Sequence, residues 1–206
     1  MVECLEDLTR NIGRGLRTAM EVKTVYFENP GKENTEEVLR IARQRAEELG
    51  IKTIVVASTA GDTAVKAVEA FKGLRVIIVT HCTGFREPDT QTFTEESRKI
   101  VESKGGIVLT AAHAFLGVSR AMQVKMNTVA IGDIIANVLR IFGQGMKVVC
   151  EIAMMAADSG LVRTDEDVIS IAGTGRGADT AIVLKPVNTH KFFDLKVREI
   201  LCKPHF

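Results

Sequence analysis

Four short aliphatic runs limit what this chain can fold into. They are Thr53–Ala57 (TIVVA), Arg75–Thr80 (RVIIVT), Val168–Ala172 (VISIA) and Thr180–Leu184 (TAIVL). Each is rich in β-branched residues and is apolar on both faces rather than alternately wet and dry. Such runs suit strands covered on both sides, as in a parallel sheet held between helix layers.

The segments between them read as the helices that do the covering. Val22–Phe27 predicts a first strand, followed by a turn at Asn29-Pro30-Gly31. Asn34 and Glu37 have the spacing of a capping box. The helix they open runs to about Leu49, with Val38, Leu39, Ala42, Ala46 and Leu49 on one face and Gly50 as its stop. A second helix begins near Gly61 and extends to Lys72. Thr94 caps a third, with Glu95 and Glu96 in the first turn where the helix dipole favours negative charge. Ile107–Ala111 predicts another strand. A loop around His113–Gln123 leads to two apolar helices, Val129–Phe142 and Gln144–Ser159. The final segment, Asp194–Cys202, reads as an edge strand, and the pair near 168–184 places one antiparallel strand at the far end of the sheet. Alternating strands and helices predict an α/β fold, a three-layer α/β/α sandwich around a mostly parallel sheet. At 206 residues the chain is expected to form a single α/β domain over residues 21–206, preceded by a polar, detachable N-terminal extension at 1–20.

Charge and cysteine usage exclude several classes. Lys plus Arg number 27 and Asp plus Glu 26, a balance unsuited to neutralising a nucleic-acid backbone. Cys4, Cys82, Cys150 and Cys202 are far apart and form no CxxC pair, so neither a disulfide framework nor a structural zinc site is expected, and no metal is called for. The most apolar stretch, 148–162, contains Glu151 and Asp158 and reads as a buried helix rather than a membrane span. The mixed charges of the first twenty residues do not resemble a signal peptide. A cytoplasmic protein is expected. The apolar surface of the helices between 129 and 159 also predicts a homo-oligomer.

Ligands of parallel α/β sheets bind beyond the carboxyl ends of the strands, and four loops leave that edge. Ser58, Thr59, Gly61, Asp62 and Thr63 combine hydroxyls, a glycine and a helix start directly after a buried strand. Free amides there suit a phosphate, although the Asp62 charge opposes one. The alternative is an ordinary strand-to-helix turn. Gly173, Thr174, Gly175, Arg176, Gly177 and Asp179 make a glycine-rich loop with one cation, either a binding loop or a tight hairpin. Thr80, His81, Gly84 and Phe85, with Arg86, read as a lid or as a long surface loop with one buried aromatic. His113, just past a strand end, lines the pocket or serves as a structural histidine. No spacing supports a His81–Cys82 nucleophile pair or a metal held by the histidines. Lys147 and Glu151, four apart on an apolar helix, read as a structural ion pair, and Met146, Met154 and Met155 as core filler.

The stretches GKENTEEVL, VTHCTGFRE, EIAMMAADSGL and GTGRGADTA, with the turn STAGDTA after TIVVA, carry a family resemblance. Over about residues 21–203 the chain resembles a small stand-alone archaeal family that shares the fold of the pyruvate kinase C-terminal domain. The resemblance implies a five-stranded mixed sheet between two helix layers. It also implies a binding role: the kinase domain takes a phosphorylated sugar at the turn matching Ser58–Thr63, and the stand-alone relatives look like flavin mononucleotide (FMN) binders. Asp62 stands where the kinase loop often has a basic residue, which favours a monophosphate over a sugar bisphosphate. The kinase's catalytic barrel has no counterpart in these residues.

Three functions are therefore weighed. In the first, a small phosphorylated ligand, FMN, binds at the carboxyl edge of the sheet, with no reaction assigned. In the second, the chain is a non-enzymatic sensor or regulatory module for another phosphorylated metabolite. In the third, it is a hydrolase or transferase using His81, Cys82 or Asp179, for which no base–nucleophile spacing is seen.

Overall fold

The computed structural model describes residues 19–205. All but the last two residues of the expected N-terminal extension lie outside them. Seven strands form one sheet: β1 (Val25–Phe27), β2 (Thr53–Ala57), β3 (Arg75–Val79), β4 (Ile107–Leu109), β5 (Val168–Ala172), β6 (Thr180–Lys185) and β7 (Lys196–Pro204). Six α-helices accompany them: α1 (Thr35–Leu49), α2 (Asp62–Ala70), α3 (Glu95–Ser103), α4 (Gly117–Met126), α5 (Ile131–Arg140) and α6 (Gln144–Asp158).

The strand order is β1-β7-β6-β5-β2-β3-β4. β1 pairs with β7, and β2 with β3 and β5, in parallel; β3 and β4 are also parallel. β6 runs antiparallel to both of its neighbours. The expected five-stranded sheet is thus wrong: β7 pairs along the outer edge of β6, and β1 adds beyond β7. The single antiparallel strand lies inside the sheet rather than at its far end, and the C-terminal strand is flanked on both sides rather than being an edge. An uncapped β6 would expose a row of backbone donors and acceptors, which the nine-residue β7 satisfies.

Two apolar layers enclose the sheet. On one face Val38, Leu39 and Ala42 of α1, Ala64 and Ala67 of α2, and Val101 of α3 pack on Ile54, Val56, Ile78, Ile169 and Ile171. On the other face α6 lies alone, its Val149, Cys150, Ala153 and Ala156 against Val55, Ile77, Val168 and Ile182. α5 packs outside α6, as an additional layer around Ala136 and Met154. Burial holds the Cys150 and Cys202 thiols up to about 12, so both stay neutral core groups.

Local signals account for most boundaries. Gly50 ends α1 in the left-handed region, and the Thr94 side chain accepts from the Ser97 amide to open α3. The Asn34–Glu37 capping box does not form. Asn34 has helical backbone angles, and its Nδ2 donates instead to the carbonyls of Asn29 and Gly31. A short 3-10 turn at Lys32–Asn34 precedes α1 and takes over the start that a cap would have made. The loop expected at His113–Gln123 is mostly helix α4.

Candidate functional site

From β2 the chain moves outward to β3 and β4 through α2 and α3, over one face of the sheet. It returns through α6 over the other face to place β5 beside β2. The loops after β2 and β5 therefore diverge at their carboxyl ends, the place where open α/β sheets bind ligands. A cleft of about 790 Å³ opens there, within the range of small-molecule sites.

Twelve of the sixteen expected site residues line this cleft. From the loop after β2 come Ser58, Thr59, Asp62 and Thr63; from the loops after β3 and β4 come Thr80, His81, Phe85 and His113; from the loop after β5 come Gly173, Gly175, Arg176 and Gly177. Gly61, Gly84, Thr174 and Asp179 are not among its walls. Asp179 is fully buried and holds the glycine loop in shape. Its Oδ2 accepts from the amides of Gly31 and Thr174, each at 3.0 Å, and its Oδ1 from the Thr180 hydroxyl.

The loop after β2 is more committed internally than its composition suggests. The Ser58 hydroxyl accepts from the Ala64 amide at 3.3 Å, capping α2 from within. A Cβ on Gly61 would sit 2.1 Å from Ser97 Oγ, so the missing side chain makes room for α3 rather than for a ligand. The Asp62 and Thr63 amides have no acceptor among the described residues and remain free at the helix start. Asp62 itself forms an exposed ion pair with Arg176, which ties the two loops together across the cleft and neutralises the charge that opposed an anion. The glycines after β5 answer to packing as well. A Cβ on Gly177 would lie 2.3 Å from Lys32 Cα, where the Ala178 amide also donates to Thr35 Oγ1.

Three rings gather on the side of β3 and β4. Phe85 stacks on His113 with centroids 5.1 Å apart, and His81 lies 4.2 Å from Phe85 and 5.4 Å from His113. The Arg120 guanidinium sits 5.3 Å from the Phe85 centroid. The Cys82 amide donates to His113 Nε2 at 3.4 Å, which requires an unprotonated nitrogen there. His81 Nδ1 is buried with no hydrogen-bond partner. Burial pushes both imidazoles below their ordinary range. For His81 the neighbouring His113 and Arg86 act in the same direction. For His113 the Glu151 carboxylate opposes the shift, while Lys147 and Arg120 reinforce it.

Several walls of the cleft were not among the residues expected to bind. Lys147 and Glu151 form the anticipated ion pair, buried and bonded to each other, but the pair lines the cleft rather than lying hidden in the core. Glu151 Oε1 also accepts from the Phe115 amide at 3.1 Å, and Lys147 Nζ lies 5.5 Å from the Phe115 ring centroid. Two charges four apart in an otherwise apolar helix were the available signal. Arg120 and Arg140 also line the cleft, as does Arg86, which the sequence offered as part of a lid, and among the described residues none of the three has a carboxylate partner. Arg140 donates instead to Gln144 Oε1 and Asn137 Oδ1. With the Asp62–Arg176 and Lys147–Glu151 pairs balanced internally, the three arginines give the cleft an excess of positive charge. No cluster of three or more His, Cys, Asp or Glu able to hold a metal occurs among the described residues. Nor is any helix among them long and apolar enough to cross a membrane.

The sequence profile of the family described as "Pyruvate kinase, alpha/beta domain" matches residues 36–184. The matched span contains β2 to β5 and all but the last residue of β6; β1 and β7 lie outside it. Among solved structures, the chain is similar to a pyruvate kinase from Cryptosporidium parvum at 11% identity, covering 88% of this chain and 26% of that one, with a TM-score of 0.39. It is also similar to the Cryptosporidium parvum pyruvate kinase in complex with ADP, at 12% identity over 95% of this chain and 27% of that one, with a TM-score of 0.35. The chain spans about a quarter of the length of these enzymes.

Proposed function

The chain belongs to the pyruvate kinase alpha/beta domain family, and from that premise we propose that it binds a small phosphorylated ligand with a flat ring, FMN, in the cleft at the carboxyl edge of the sheet. The observation that carries the reading is the pairing of carboxylate-free arginines with the His81–Phe85–His113 stack in one cleft. An anion gains from the former, and a ring from the latter.

The residues fit the two ends of such a molecule. The free amides of Asp62 and Thr63 and the Thr59 and Thr63 hydroxyls suit a phosphate, which binds well to exposed helix-start donors, and Arg176 stands beside them, held by Asp62. His81, Phe85 and His113 supply ring faces, and the buried Lys147–Glu151 pair offers polar edges at the cleft wall. A bound flavin would bring electron-transfer chemistry of its own. The protein's part is to desolvate, orient and charge-balance the ligand.

Fluorescence titration of FMN into the purified full chain tests the reading. Saturable quenching that phosphate competes away supports it. Absence of quenching, together with no flavin released on denaturation, overturns the FMN assignment. If another phosphorylated metabolite then stabilises the protein against heat, the chain is a sensor or regulatory module with the same anion site.

A further inference from the structure

Large apolar side chains are exposed along α5 and at its carboxyl end. Ile131, Ile134 and Val138 of α5 and Ile141, which ends it, are all solvent-exposed. They recur at intervals of three, four and three residues, and at 100° per residue they share an arc of about 80°. The opposite side of the same helix is committed: Ala136 is buried against α6, and Asp133 Oδ2 accepts from the Ala130 amide to cap its own helix. A Cβ on Gly132 would lie 2.0 Å from the Phe115 carbonyl oxygen, so α5 is seated closely by that inner side. Ile135 and Leu139 bridge from the stripe to Phe192 in the same cluster. Phe193, in edge contact with Phe192, is 87% exposed. Phe142, just beyond the stripe, is also exposed.

We infer that this face is the seam of a twofold homodimer, in which α5 of one protomer packs along α5 of its partner. The spacing is that of the a and d positions through which helices interlock with one another. A single such stripe is self-complementary under a twofold axis, which brings the same patch from both copies together. The area points the same way. The exposed side chains Ile131, Ile134, Val138, Ile141 and Phe142 present roughly 550 Å², most of the ~800 Å² per partner of a standard-size interface and at the upper end of the largest patch of a typical monomer. A lipid surface is the less suitable occupant. Interfacial helices carry several cations on the polar face, whereas α5 carries one, Arg140, held by Asn137 and Gln144. Arg140 lines the cleft from the end of α5, so the seam runs to the rim of the ligand site.

Light scattering on the full chain tests the inference, with a mass of twice the chain mass expected. Val138→Glu and Ile134→Glu place a charge on residues that are already exposed. Each is expected to give a monomer with an unchanged circular dichroism spectrum. A monomeric wild-type chain overturns the inference, and so does a dimer that persists in both charged variants. Binding of the wild-type monomer to anionic vesicles would assign the face to lipid instead and equally overturn it.

Discussion

Phe85 lies flat on His113, their ring planes 15° from parallel and their centroids 5.1 Å apart. The contact joins the loop after β3 to the loop after β4, and places Phe85 over a ring that the Cys82 amide already anchors. His81 closes a triangle of rings with both of them, 4.2 Å from Phe85 and 5.4 Å from His113, and packs the polar end of the sheet with apolar surface. That burial is why both imidazoles titrate low.

The histidines therefore predict acid sensitivity. A histidine whose folded-state pKa lies below its unfolded value of ~6.5 is more readily protonated in the unfolded chain, so stability rises with pH through that window. The stabilising contribution of His81 and His113 is full above ~6.5 and declines as pH falls towards their depressed values. NMR titration of the imidazole signals should give midpoints below ~6.5 for both. A His81→Phe variant should unfold with a flatter dependence on pH below neutrality.

The buried ion pair predicts strong non-additivity. Lys147→Met leaves Glu151 buried without its cation and should cost about 3–5 kcal/mol. The double variant Lys147→Met/Glu151→Gln keeps an acceptor for the Phe115 amide and removes the stranded charge. It should recover most of that loss in urea unfolding, and a sum of single-variant losses in the double variant would contradict the coupling.

Arg176 and Asp62 predict a separation of stability from binding. Both side chains are largely exposed, so Asp62→Asn should leave the melting temperature unchanged. The same change releases Arg176 towards the cleft and should tighten binding of a phosphorylated ligand severalfold, with a steeper salt dependence. Conversely, Arg140→Gln should weaken binding by about tenfold, the scale of one charge-assisted contact, while unfolding is unaffected. Titration calorimetry at two salt concentrations checks both.

Gly177 predicts a packing failure remote from any ligand. Its φ of +81° is unfavourable for a side chain, and a Cβ would press on the Lys32 backbone. Gly177→Ala should lower stability by about 2–4 kcal/mol, with strain and overpacking combined. Gly61→Val is a poor test of anion binding for a similar reason, since its side chain would collide with Ser97.

The chain's own pattern determined the core of this protein. TIVVA, RVIIVT, VISIA and TAIVL became β2, β3, β5 and β6, because runs apolar on both faces have nowhere to go but between two layers. Thr94 and Gly50 marked helix ends because their backbone chemistry is local. Twelve expected site residues met in one cleft because parallel strands deliver their following loops to a common edge. Only the tertiary structure decided the rest. β1 and β7 were legible as strands, but that β7 lies between β6 and β1 rather than at an edge follows from which strands reach the unpaired side of β6, which no local pattern states. Gly61 and Asp179 serve packing and loop shape because their neighbours, Ser97 and Gly31, are distant in sequence. Arg120 and Arg140 joined the cleft through α4 and α5, whose placement depends on how α6 crosses the sheet. Burial, partnership and approach are relations between segments, and a linear sequence specifies them only through the fold it forms.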